Sequence, residues 1–342
     1  MSAKTFFHCV AGAAACCVMF SGCGLFSSGA EDPAKDEAAV VLPELDMKRV
    51  ESDEKWGIKF SEDKRTLLKY EPKLRVKKYI VPDGVTAIGE GAFLDSQHLA
   101  EVTIPAGVTT IGKGAFAWCR ELTKVTIPAG VTTIGPGAFF RCPKLKTAFL
   151  PPTVTKLGKK AFTGCVSLES VTIPAGLTSI SDRAFFGCSS LTKVVIPAGV
   201  ETIGHGEFRG CANLTEVTIA KGVKTIGNSA FAECKRLGAV TIPGGVESLG
   251  EGVFSECWGL ERVTFGAGTK TIGKGAFFRC EKLSSVTLPE TLESIGEIAF
   301  VECHSLKDIV IPKSVTDIGK GAFKDTPCDE KMMERHSELY RL

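Results

Sequence analysis

The 342-residue chain carries 41 Lys and Arg against 39 Asp and Glu, for a formal net charge of +2, and 44% of its residues are hydrophobic. That balance argues against nucleic acid as a partner, because a domain that grips phosphates shows a clear excess of cations. The composition also holds 37 Gly, and 21 Phe against 3 Tyr, which points to a few positions that recur many times.

The chain opens with a single cation, Lys4, followed by an apolar run from Phe6 to Phe20. Such a run is too short to cross a bilayer as a helix, which takes about 20 residues. It reads as a signal peptide over residues 1–22. Met19-Phe20-Ser21-Gly22-Cys23 resembles the lipobox of bacterial lipoproteins, with Phe20 where that motif usually has Leu. The resemblance implies cleavage before Cys23 and lipid on its sulfur and new amino group. Ordinary secretion with an unmodified Cys23 is the alternative. Each buried acyl CH₂ contributes ~0.8 kcal/mol and stable anchoring takes about two chains, so a lipidated Cys23 would hold the protein on a membrane without a spanning helix. Residues 23–45 include Ser27, Ser28, Glu31, Asp32, Asp36 and Glu37 and read as a flexible tether.

Phe then recurs at 93, 116, 139, 162, 185, 208, 231, 254, 277, 300 and 323, always 23 residues apart. A fixed period of this size marks a solenoid. One copy runs Leu122, Val125, Ile127, Pro128, Val131, Ile134, Gly135, Ala138, Phe139, Cys142. Val125-Thr126-Ile127 alternates as a half-buried strand does. Pro128 ends that strand, since it has no N–H for a ladder. Val131 to Ile134 is a second short extended segment, Gly135 a turn, and Ala138 to Cys142 a short helical turn with Phe139 and Cys142 on one face. One coil cannot bury these side chains alone; stacking places like on like. Parallel pairing of successive coils at ~4.8 Å gives a stack about 50 Å long.

The repeat resembles the 23-residue leucine-rich repeat of BspA-like bacterial surface proteins. It covers residues 74–326 as eleven repeats. The expected fold is a repeat solenoid: a leucine-rich repeat stack of short parallel β-strands with short helical or 3-10 turns, in a β-rich right-handed coil capped at both ends. Residues 46–73 are expected to form an N-terminal cap hairpin, since Gly57 to Tyr70 is similar to that family's leading hairpin. Residues 327–342 are expected to form a C-terminal capping helix, with Thr326 as N-cap, Pro327 at its first position, and Met332, Met333, His336, Leu339 and Tyr340 on one face. The resemblance implies a cell-surface adhesin that binds matrix proteins, epithelial cells or other bacteria. That is function by analogy, which a fold does not fix.

Nine Cys recur in the same register, from Cys119 to Cys303. A spacing of 23 is not that of a metal site, so they read as small core residues rather than disulfides. Ser96 and Thr326 replace them at the two ends, where less burial is expected. No His, Ser, Asp or Cys falls at a catalytic spacing, and no metal or cofactor is expected. Glu207 stands where most coils have Ala. It reads as an incidental variation or as a local binding spot.

The residues facing outward between the buried strand positions form a candidate contact face. Glu101, Lys124, Thr126, Lys193, Glu216, Thr218, Arg262 and Thr264 are its polar members. High β-propensity and solubility explain Thr and mixed charge equally well. Phe140, Phe186 and Phe278 are either aromatic anchors or edge packing. The expectation is a monomeric, exported protein, lipid-anchored to the outer membrane or cell surface, that binds a protein ligand. A periplasm-facing envelope scaffold is the alternative.

Overall fold

The structure, a computed structural model, describes residues 45–339. The signal peptide, Cys23, most of the tether and Tyr340 lie outside the described residues.

Each coil contributes two short strands, and like strands of successive coils pair in parallel with a register of 23 residues: Glu101↔Lys124, Val102↔Val125 and Thr103↔Thr126 in the first row, Thr110↔Thr133 and Ile111↔Ile134 in the second. The physical reason is the alternation already present in the sequence. Val125 is buried while Lys124 and Thr126 are exposed, so a one-residue slip would turn the core face to water.

Between the strand rows and the Cys, the chain makes the expected turn but not a continuous helix. Every coil places two residues in the left-handed region, two before and two after the core Phe, as in Gly137 and Arg141 with φ of 60° and 54°. This alternation breaks the helical run and frees the N–H of Phe to reach forward. Phe139 N donates to the Ala161 carbonyl at 2.7 Å, and Phe93, Phe116 and Phe162 do the same in their coils. The turn is therefore a third ladder between coils.

The core is a set of columns. Eleven Phe rings, all fully buried, stack with centroids 4.7 to 5.5 Å apart and planes within 9° of parallel. Beside them, each ladder Cys donates its thiol to the carbonyl of the Phe in the preceding coil, from Cys119 Sγ to Phe93 O at 3.0 Å to Cys303 Sγ to Phe277 O at 3.2 Å. Cys suits this column because it is small and apolar yet carries a weak donor. All ten Cys of the described residues are free and buried. Burial pushes the thiols of Cys142, Cys188, Cys234 and Cys280 well up, and that of Cys303 to about 12, and so away from the reactive thiolate.

One column must be glycine. A Cβ at Gly135 would meet Lys113 N at 2.6 Å and Gly112 C at 2.7 Å. Ser181 is the member of this column that carries a side chain, and its hydroxyl donates to the Leu157 carbonyl at 2.7 Å. In the coils on either side that carbonyl position receives the glycine N–H, as Gly158 N to Ile134 O at 2.8 Å. Among the described residues the second strand row breaks here, between Lys156–Leu157 and Ser179–Ile180. A crevice of about 420 Å³ opens at the break, lined by Thr155, Lys156, Thr178 and Ser181 among others.

The ends depart from expectation in four respects. The N-terminal cap is more than a hairpin: a helix, α1 (Met47–Lys55), precedes strands β1 (Lys59–Phe60) and β2 (Thr66–Lys69), which pair antiparallel. Asp46 caps α1 through Arg49 N at 3.0 Å, and Val50 is its buried apolar residue. At the other end α2 spans Asp329–His336 and starts after Cys328, with no side-chain cap. Thr326 does not cap it, because its hydroxyl bonds the Phe323 carbonyl at 2.6 Å. Met332 is fully buried and Leu339 packs on the core, but Met333 is exposed. An eight-residue helix lying on a flat coil end buries only a narrow stripe. Ser96 and Thr326 are buried rather than open, since the caps close the columns at both ends.

Two measurements follow. In native protein the ten thiols beyond residue 23 should resist a thiol reagent, and all ten should react in denaturant; a count that stays near zero when unfolded would mean disulfides. Gly135→Ala should destabilise by about 1–3 kcal/mol through backbone overlap, whereas Ser181→Gly should raise stability by restoring ladder bonds worth about 1 kcal/mol each. Denaturant titration of the two variants checks the opposite signs.

Candidate functional site: the outward strand face

The first strand row positions every residue of the candidate face. Its inward residues are nearly constant, Val or Ala at the centre of each strand except the first, which has Tyr79, so the outward pair is free to vary. Two breaks divide the row among the described residues, into sheets of three, two and five strands. Glu101, Lys124 and Thr126 fall in the first of these sheets; Lys193, Glu216, Thr218, Arg262 and Thr264 fall in the last. Lys124, Thr126, Lys193, Glu216, Thr218 and Arg262 are exposed, and Glu101 and Thr264 are half-buried.

The charges of this face are largely spent on one another. Lys193 Nζ lies 2.7 Å from Glu216, and Lys78 Nζ lies 2.9 Å from Glu101. The Lys78 ammonium holds the Glu101 carboxyl below its ordinary range, with Lys124 adding to the effect. Both pairs join residues 23 apart, as do Lys113–Glu90, Lys224–Glu201 and Lys274–Glu297 elsewhere on the stack. Exposed pairs contribute about 0–1 kcal/mol each. Their systematic i, i+23 placement favours the correct coil neighbour.

The outward row also holds apolar members, as the strand alternation predicts. Phe149 is 64% exposed and stands in the same outward row as Thr126 and Thr172, one coil from each, with Val195 and Ile80 exposed further along. The signal was present in the row itself, where Phe149 and Val195 interrupt a column of Thr. The edge aromatics behave differently. Phe140, Phe186 and Phe278 are half-buried. Phe140 packs edge-on to Trp118 at 5.6 Å, with the Arg141 guanidinium over both rings, and Arg279 covers Phe278 at 5.1 Å. Phe140 and Phe278 are corner packing.

Glu207 is not a binding spot. It is fully buried in the Ala column beside Phe208, with Oε2 accepting from Ala184 N at 3.3 Å and Oε1 without a partner. Desolvation holds its carboxyl well above the usual carboxylate range, and nearby Asp182 pushes the same way. The thiols of Cys188 and Cys211 also face it. Among the described residues no group of three or more His, Cys, Asp or Glu is placed to hold a metal ion. No described helix is long and apolar enough to cross a membrane.

The sequence profile of the BspA type leucine-rich repeat region matches residues 70–192, 155–282 and 201–328. The chain belongs to this family. BspA-type repeats thus account for the whole stack from Tyr70 to Cys328. None of the curated proteins compared matches the chain. Among solved structures, a leucine-rich repeat protein from Bacteroides ovatus is 22% identical with a TM-score of 0.56, over 83% of this chain and 95% of that one. The pneumococcal vaccine antigen PcpA is 22% identical with a TM-score of 0.54, over 77% and 72%. A leucine-rich cell surface protein from Faecalibacterium prausnitzii is 23% identical with a TM-score of 0.46, over 76% and 82%. At these identities the likeness is one of fold. BspA-type stacks share the general property of repeat solenoids, an extended surface suited to binding other proteins.

The buried carboxyl gives a sign-definite test. A folded value raised above the unfolded one means that the native state holds a proton the unfolded chain releases, so stability falls as pH rises above the ordinary carboxylate range. Glu207→Ala should remove that fall and leave the variant more stable than the parent at pH 8. Thermal midpoints at pH 5 and pH 8 measure the difference, and parallel curves for the two proteins would refute it.

Proposed function

We propose that this protein is a lipid-anchored cell-surface module that binds or adheres to other proteins and catalyses nothing. The observation that carries the reading is the division of labour within each strand. Inward positions repeat almost unchanged along the stack, whereas outward positions vary among Thr, Lys, Glu, Arg, Phe and Val and are exposed. Variation on a fixed scaffold is how a solenoid presents a long, specific contact surface. The lipobox-like Met19 to Cys23 and the polar residues 23–45 support export and anchoring at Cys23.

On this face Phe149 is the natural anchor. An exposed aromatic ring supplies contact area at low conformational cost, and interfaces concentrate their energy in such residues. Lys124, Lys193 and Arg262 set charge complementarity, which governs approach and salt dependence more than affinity.

The partner comes first from a pull-down with residues 24–342. Against it, Phe149→Ala should weaken binding by 2 kcal/mol or more, on the order of a hot-spot loss, with the circular dichroism spectrum unchanged. Combined Ala substitution of Lys124, Lys193 and Arg262 should lower the association rate and flatten its salt dependence. Binding that ignores both sets of changes would remove this face from consideration. Separately, a fatty-acid analogue should label the wild type and spare Cys23→Ser.

A further inference from the structure

The positive charge of the molecule is gathered at one end. Residues 46–80 hold eleven Lys and Arg against seven Asp and Glu, an excess of four cations, while the whole chain carries only +2. Along the stack, several cations pair with acids one coil away, and in the cap Arg49, Lys64 and Lys78 are paired as well. Lys73, Arg75 and Lys77 are exposed and form no ion pair within the described residues. The same segment concentrates exposed apolar side chains. Met47, Trp56, Leu68, Val76 and Ile80 are five of the twelve large hydrophobic residues open to solvent among the described residues.

Part of each feature meets in one cleft, Arg75 from the cations and Trp56 and Val76 from the apolar residues. It lies between α1 and the segment leading into strand β3 (Lys78–Ile80), has a volume of about 450 Å³, and is lined by Trp56, Val76, Arg75 and Lys78 together with buried Tyr70. Trp56, at 66% exposed, stands at its rim. Asp53, which also lines the cleft, has its charge met by Arg49 at 3.1 Å and by the Tyr79 hydroxyl at 2.6 Å. Lys78 is paired with Glu101 at 2.9 Å, which leaves Arg75 as the lining cation without an ion pair among the described residues. The Tyr70 hydroxyl is buried and has no hydrogen-bond partner; burial, with Asp53 nearby, raises it to about 12, so it remains a donor.

We propose that this cap docks on an anionic lipid surface, with Lys73, Arg75 and Lys77 at headgroup phosphates and Trp56 and Val76 at the boundary between headgroups and acyl chains. Trp favours that boundary because its ring is amphipathic, and each cation near an anionic leaflet adds attraction that falls off within a Debye length. A lipid surface, rather than an acidic protein, is the occupant for a reason of chain position. The cap is the part of the fold next to Cys23 in sequence, with 21 residues between Cys23 and Leu45, a span of at most about 80 Å when fully extended. That placement rests on the reading of Cys23 as the lipidated residue. The lipid keeps the cap near the bilayer, and the cap fixes how the first coil meets it.

The test omits the anchor so that the two ideas fail separately. Residues 24–342 contain every described residue and lack the acceptor thiol. This protein should sediment with phosphatidylcholine vesicles containing phosphatidylglycerol and not with phosphatidylcholine alone. Raised salt should release it. Arg75→Ala should lower the partition coefficient roughly fivefold, and Arg75→Ala with Lys77→Ala about twenty-fivefold, as expected of ~1 kcal/mol per cation. A blue shift of tryptophan emission on binding should vanish in Trp56→Phe. Equal binding to both vesicle types, or binding indifferent to the cation variants, overturns the proposal. So does binding of soluble polyglutamate by protein that ignores vesicles, which would assign the cap to an acidic protein instead. Fatty-acid labelling of Cys23 bears on the anchor alone.

Discussion

The distance between successive coils governs this molecule. Parallel strands pair at ~4.8 Å, and because each coil has the same number of residues, every position meets its own counterpart at about that separation. Phenyl rings can stack in parallel at the 4.7 to 5.5 Å observed here, a favourable offset arrangement. A Cys thiol can reach the carbonyl of the Phe one coil back. A glycine column is needed where the backbones meet without room for a Cβ. Opposite charges on the surface come within ion-pair range when they sit 23 residues apart. Each column is thus a consequence of one spacing rather than an independent device.

Departures from the column rules have local, nameable effects. Ser181 places a Cβ where the spacing allows none, and the strand ladder opens beside it. Glu207 places a carboxyl where the spacing allows a methyl group, and the group is held neutral by burial with one oxygen unpartnered. The coils above and below remain in register in both cases, because interactions in a solenoid are between neighbours only. A stack can therefore carry weak joints without losing its fold, and outward positions can diversify without touching the core.

The ends obey different physics. A terminal coil has a neighbour on one side, so its open columns must be covered by other means. Tyr70 lies one period before Phe93 and stacks on it at 5.2 Å with a tilt of 32°, so the cap supplies an extra, imperfect rung. The Asp53–Tyr79–Arg49 network then ties α1 to the strand that starts the first coil. At the far end Met332 and Leu339 cover the last coil. At the N-terminal cap the aromatic rings tilt and Asp53 is buried against Tyr79 and Arg49, since repetition no longer dictates what each residue meets.

By itself the sequence determined the fold and its register. The Phe and Cys spacing located every core column, and the alternation within each strand named which residues face out, because periodicity reports the pattern of burial directly. It also marked Ser96, Glu207 and Thr326 as exceptions. It did not determine what the exceptions do. Only the tertiary structure showed that Glu207 points into the core, that Thr326 bonds its own coil instead of capping α2, and that Lys193 and Glu216 neutralise each other. It likewise showed that Phe140 and Phe278 lie under arginines, and that Arg75 lines a cleft with Trp56 and has no ion pair among the described residues. These facts depend on contacts between residues about one coil or more apart and on the shape of the two ends, which a repeating pattern cannot encode because each of them occurs once.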